Sequence, residues 1–87
     1  VLLGYVGRIV EQKGLKTMLY ALQEIRDLPW RFVLVGSGEF GDEFDQIARS
    51  LDLSDRIQRI GYVPNPEIPR YLSAFDVMVL PSETRSN

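Results

Sequence analysis

The residues best suited to chemistry are two cations set among glycines. Residues 7–14 read GRIVEQKG, placing Arg8 and Lys13 between Gly7 and Gly14. An arginine fork and a lysine point charge together suit a diphosphate, and the flanking glycines let backbone approach a ligand closely. By spacing alone the same two side chains read more simply as ordinary solvated cations. A second glycine cluster, GSGEFG at residues 36–41, matches the G-x-G-x-x-G pattern of dinucleotide-binding turns. Two facts count against that use. The pattern follows the second strand-like run rather than the first. In addition, Glu39, Asp42 and Glu43 crowd the start of the next helix, where carboxylates stabilise the helix dipole themselves and repel an incoming pyrophosphate. Read by themselves, Gly36 and Gly38 are turn glycines.

Composition removes whole classes of chemistry. The 87-residue chain has neither cysteine nor histidine, so disulfides, Cys/His zinc sites and His-dependent triads are excluded. The net charge of −2 offers no bulk attraction to nucleic acid or an anionic membrane, so any anion site must be local. With 45% hydrophobic and 25% charged residues the chain reads as globular, and its length allows one domain at most. No apolar run nears the roughly 20 residues that span a bilayer, and no signal peptide is visible. The lack of cysteine suits a cytoplasmic protein. Val1 opens inside an apolar run without a methionine and Asn87 closes a polar loop, so both ends are expected to be cuts in a longer chain.

The elements that must position the loops follow from periodicity. Residues 1–6 (VLLGYV) read as a buried strand, and Leu15, Met18, Leu19, Leu22 and Ile25 fall on one helical stripe that Leu28-Pro29 stops. Residues 31–35 (RFVLV) are nearly all apolar, as in a parallel strand covered on both faces. Phe44, Ile47, Ala48 and Leu51 form a second stripe, residues 56–60 (RIQRI) alternate like a strand, and Ile68, Tyr71, Leu72 and Phe75 line a third helix. Asn65-Pro66 is the expected start of that helix, with Asn65 as its cap and Pro66 at its first position. Residues 76–80 (DVMVL) are the fourth strand, opened by Asp76 and ended by Pro81-Ser82. Trp30 is expected to be a half-buried cover, and Asp55 a cap or turn residue. The order β-α-β-α-β-α-β with short connections predicts an α/β, Rossmann-like parallel sheet of about four strands with helices on both faces. Ligands of such sheets bind outside the carboxyl ends of the strands, which singles out the loops at residues 7–14, 36–41 and 61–66.

The runs YVGRIVEQKGLKTMLYAL, FVLVGSGEF and DRIQRIGYVPNPEIPRYLSAFDVMVLPS, in that order, resemble family-4 glycosyltransferases of the GT-B fold. The match is to the C-terminal, donor-binding domain of these retaining enzymes and runs over nearly the whole of residues 1–87, which would then be part of a nucleotide-sugar-binding domain. The resemblance implies a nucleoside-diphosphate-sugar donor such as a UDP-sugar, no cofactor and no metal ion. Carried over by motif, Arg8 and Lys13 match the basic pair that grips the donor diphosphate, with Gly7 the close-approach glycine beside them. Gly36 and Gly38 match the glycine turn lining the donor cleft. Tyr62 and Val63 fall in the segment whose backbone meets the nucleobase, although their side chains read more simply as packing residues.

The sequence departs from the family after the fourth strand. There Pro-Ser leads within a few residues to the first of two glutamates that contact the donor sugar and ribose. The usual spacing places that glutamate at Arg85, and Glu83 comes two residues early, so no catalytic residue is assigned within the chain. The chain alone is expected to be inactive. A non-catalytic nucleotide-binding or receiver-like interaction module is the alternative, but a receiver needs clustered acids after its first strand, where this chain carries Arg8 and Lys13. The resemblance leaves the acceptor and the nucleobase open and assigns no nucleic-acid partner. It makes peripheral membrane association of the complete protein, at the cytoplasmic face, a property mainly of another domain. Residues 76–80, as a flat apolar strand at a sheet edge, are expected to promote self-association.

Overall fold

The computed structural model describes residues 1–10 and 14–79. Strand β1 (Leu2–Val6) leads to helix α1 (Leu15–Glu24), β2 (Arg31–Val35), α2 (Gly41–Ser50), β3 (Ile57–Ile60), α3 (Ile68–Ala74) and β4 (Val77–Met78). The strands form one parallel sheet in the order β3-β2-β1-β4. The expected alternation of strands and helices is therefore present, and the first strand lies inside the sheet with the chain winding outward to both sides.

Alternation along the strands sorts the core. Leu3 pairs with Phe32 and Tyr5 with Leu34; Tyr5, Phe32 and Leu34 belong to, and half-buried Leu3 packs against, the apolar cluster that α1 covers with Leu15, Met18, Leu19 and Leu22 and α2 with Phe44 and Ala48. Each fully buried side chain of this set contributes about 1.5–3 kcal/mol of transfer free energy. On the opposite face Gly4 leaves the space that the ring of Phe75 occupies; a β-carbon there would overlap it. The chain following α3 thus packs on the second face at Gly4, and helices lie on both sides of the sheet. On β3, Ile57 and Arg59 point the same way. Arg59 lies along α2 and pairs with Asp45 through Nε at 3.0 and 3.2 Å and Nη2 at 3.0 Å. This edge strand is closed by an ion pair where an inner strand carries a leucine.

Several local expectations need correction. Helix α1 ends at Glu24, ahead of Leu28-Pro29, and Ile25 is its exposed C-cap residue. The chain turns at once because the amides of Ile25 and Arg26 bond back to the carbonyls of Leu22 and Gln23. Asn65 does not cap a helix: residues Asn65–Glu67 form a 3-10 turn without a side-chain cap bond, and α3 begins at Ile68. The tighter turn satisfies the Glu67 amide from the Pro64 carbonyl at 2.9 Å, so the asparagine oxygen has no free amide there to accept from. Asp76 sits one residue ahead of β4, its amide and carboxylate both bonded to Leu2, at 2.8 and 2.7 Å. Leu80 lies outside the described residues.

Trp30 is buried, only 5% exposed, rather than half-covered. Its indole N–H donates to the Ile25 carbonyl at 2.8 Å. The Arg56 guanidinium lies 4.5 Å from the ring centroid and donates to the carbonyls of Arg26 at 2.6 Å and Leu28 at 2.8 Å. One arginine therefore closes the turn between α1 and β2 over the tryptophan. Trp30→Phe, which removes the indole donor and weakens the cation–π contact, is expected to cost about 1–2 kcal/mol. A lowered urea midpoint with an unchanged slope would record it; an unchanged midpoint would mean that the clasp contributes nothing.

Candidate functional site: a cleft at the carboxyl ends of the strands

The hydrogen-bond ladder of the sheet continues past the strand ends into the loops. The amide of Gly7 donates to Val35 at 3.0 Å, that of Ile9 to Ser37 at 3.0 Å, that of Gly36 to Ile60 at 2.9 Å and that of Phe40 to Ile9 at 2.9 Å. The first two loops consequently run side by side as bare backbone. Gly36 has φ +141°, and a β-carbon on it would overlap the Gly7 carbonyl oxygen; one on Gly38 would overlap the backbone of Ile9. Gly41, the third glycine of the G-x-G-x-x-G match, begins α2 against the Arg59 guanidinium. All three are consumed by contacts within the protein, and the helix that follows carries Asp42 and Glu43 in its first turn. This arrangement leaves a dinucleotide no glycine-lined approach to that helix.

Between the loops opens a cleft of ≈ 270 Å³ lined by Val6, Gly7, Arg8, Val35, Gly36, Ser37, Tyr62, Val63, Asn65 and Ile68. It brings together five of the seven residues singled out in the sequence: Gly7, Arg8, Gly36, Tyr62 and Val63. Gly38 stands behind it and holds the first loop in place. Lys13, Glu83 and Arg85 lie outside the described residues. Arg8 is exposed, makes no ion pair with a described residue, and is the one charged side chain among those lining the cleft. Val63 is buried, as a packing residue should be, but Tyr62 is 75% exposed and packs into no core. Its ring stands at the cleft mouth, because the chain leaving β3 must turn outward to reach α3 on the other face.

Five lining residues are not legible as site residues in the sequence: Val6, Val35, Ser37 and Ile68 carry no signal for binding, and Asn65 reads as a cap. A further feature is the Tyr5 hydroxyl, which donates to the Arg8 carbonyl at 2.8 Å; only its three-residue separation from Arg8 points to it. A wider cavity of ≈ 550 Å³ opens at the amino ends of the strands beside Trp30, Arg56 and Asp76. The indole N–H of Trp30, both Nη groups of Arg56 and one carboxylate oxygen of Asp76 are already engaged in the contacts described above. No buried side-chain nitrogen or oxygen among the described residues lacks a partner.

A parallel sheet with a small cleft and an exposed arginine at its carboxyl edge is compatible with many nucleotide sites, and comparison with known proteins narrows the choice. Residues 1–87 match the family described as "Glycosyl transferases group 1". The chain belongs to the group 1 glycosyl transferases. It is 34% identical over 82 residues to 2-deoxystreptamine glucosyltransferase of Streptomyces kanamyceticus, covering 92% of this chain and 21% of that protein. Among solved structures it resembles Anabaena Alr3699/HepE in complex with UDP, with a TM-score of 0.81, 25% identity, and coverage of 98% of this chain and 24% of that one. It also resembles the C-terminal domain of the group 1 family protein LpcC from Francisella tularensis, with a TM-score of 0.82, 27% identity, and coverage of 98% and 48%. The chain thus spans about a fifth of the length of the curated relatives it matches. Group 1 membership agrees with the order of motifs in the sequence, and no helix among the described residues is long and apolar enough to cross a membrane.

Proposed function

We propose that this chain binds the diphosphate of a nucleotide-sugar donor within a retaining GT-B glycosyltransferase of family 4. The observation that carries the reading is the cleft itself, in which Arg8 is the one charge among the described lining residues and stands beside the backbone of Gly7 and Gly36. An exposed guanidinium with no ion-pair partner among the described residues can take two phosphate oxygens at once, and close glycine backbone lets the phosphates approach it. Lys13 supplies the second cation. The segment of Tyr62 and Val63 meets the nucleobase at the cleft mouth. A structural relative bound to UDP supports the same donor class.

In this mechanism the diphosphate is the leaving group. Charge develops on its β-phosphate as the bond to the sugar breaks, and a fixed arginine there stabilises the departing oxygen more than the intact donor, which is what lowers the barrier. In this reading the groups that contact the sugar come from elsewhere in the complete protein, and the chain alone transfers no sugar. No metal ion takes part.

Titration of isotope-labelled protein with UDP, GDP, ADP and NAD tests the reading. Amide shifts at residues 7–8, 36 and 61–63 on adding one nucleoside diphosphate are the expected result, and they would name the base. NAD shifts centred on residues 36–41, or no response to any diphosphate from the full-length protein, would overturn it. Self-association of the isolated chain belongs to the same reading. Val77 and Met78 of the edge strand β4 are 50% and 42% exposed, and an apolar edge invites pairing with a second chain. Sedimentation should show dimers or larger species rising with concentration; a clean monomer at high concentration would refute this.

A further inference from the structure

The mechanism above makes no use of Tyr5, a buried residue on the helix-covered face of β1. A core position of this kind needs only an apolar ring. Phenylalanine would fill it without the burden of burying a hydroxyl, which must then find a partner. Here the hydroxyl leaves the core past Gly7, where a β-carbon would stand 2.8 Å from it, and donates to the Arg8 carbonyl at 2.8 Å. The next amide, that of Ile9, donates to Ser37 at 3.0 Å. Both polar ends of the peptide unit that follows the Arg8 α-carbon are therefore held, one by the core and one by the neighbouring loop. Burial raises the Tyr5 pKa above its ordinary value, so the hydroxyl keeps its proton and remains a donor throughout the neutral range.

We infer that Tyr5 is a positioning residue for the anion site: its hydroxyl fixes the Arg8 backbone so that the guanidinium is presented to the donor diphosphate. The inference rests on the donor-binding reading above and deepens it. Binding strengthens when the groups that contact a ligand are ordered beforehand, because less freedom is lost on association. Removing the hydroxyl while keeping the ring lets the loop sample orientations in which Arg8 points away from the phosphates. The effect is specific to the diphosphate, since the nucleobase segment at residues 62–63 lies on another loop.

The test compares Tyr5→Phe with the wild type in the full-length protein, titrating whichever of UDP, GDP and ADP binds the wild type most tightly, and then the corresponding nucleoside without phosphates. The expected result is about a fivefold loss of diphosphate affinity, the size of one hydrogen bond, with nucleoside affinity unchanged. A merely structural role would weaken both ligands alike or neither, and either outcome overturns the inference while leaving the donor site standing. A wild type that binds none of the three diphosphates would overturn the donor-site reading itself, and this inference with it.

Discussion

Gly36→Ala is expected to destabilise the domain by about 3–5 kcal/mol, the sum of a strained backbone and an overpacked contact. At φ +141° a β-carbon is strained wherever it points, and here it points into the Gly7 carbonyl oxygen. Relief would require the first two loops to part. That would break the bonds from Gly7 to Val35 and from Ile9 to Ser37, both 3.0 Å long. A domain of this size has roughly 4–13 kcal/mol of stability in all, so the variant would lose from about a quarter of it to the whole. Gly61→Ala is the matched control, since nothing lies within 4 Å of a β-carbon there, and its effect should stay within about 0.5 kcal/mol. Far-ultraviolet circular dichroism across a urea series distinguishes the two. Equal midpoints would mean that the loops are not in close contact at Gly36.

Arg8→Ala should leave stability nearly untouched and remove most of the donor affinity. The side chain is exposed and has no ion-pair partner among the described residues, so its loss from the free protein changes the urea midpoint little. A charge-assisted hydrogen bond contributes about 1.5–3 kcal/mol, which corresponds to roughly 10–150-fold in the dissociation constant of the nucleoside diphosphate. Arg8→Lys should recover only part of it, because a lysine carries the charge without the bidentate fork. Calorimetric titration of the three proteins would show that gradation. Unchanged affinity in Arg8→Ala would place the diphosphate elsewhere.

These two residues differ in how far they could be read in advance. Arg8 stands out by type alone, a cation beside a glycine after an apolar run. For Gly36 the sequence pattern suggests a turn and even the wrong ligand, because G-x-G-x-x-G counts glycines without stating what approaches them. In the fold, the Gly7 carbonyl, the Ile9 backbone and the Arg59 side chain fill those spaces. The element order was legible because periods of two and of 3.6 residues are properties of neighbouring residues. Apolar strands of five residues between amphipathic stripes leave little choice but a parallel sheet, and a parallel sheet gathers its strand-to-helix loops, between which the candidate cleft opens, at one end.

What the sequence determined by itself is therefore the alternation of strands and helices, the end of the sheet where the candidate cleft lies, and the basic loop at that end. The tertiary structure alone decided the strand order β3-β2-β1-β4, the burial of Trp30 beneath an arginine 26 residues further on, the exposure of Tyr62, the loss of the Asn65 cap to a 3-10 turn, and the reach of the Tyr5 hydroxyl to Arg8. The division has a single physical cause. Backbone preference and amphipathic spacing act between residues a few positions apart. A side chain's exposure and its hydrogen-bond partner are set by whichever distant segment the folded chain brings against it.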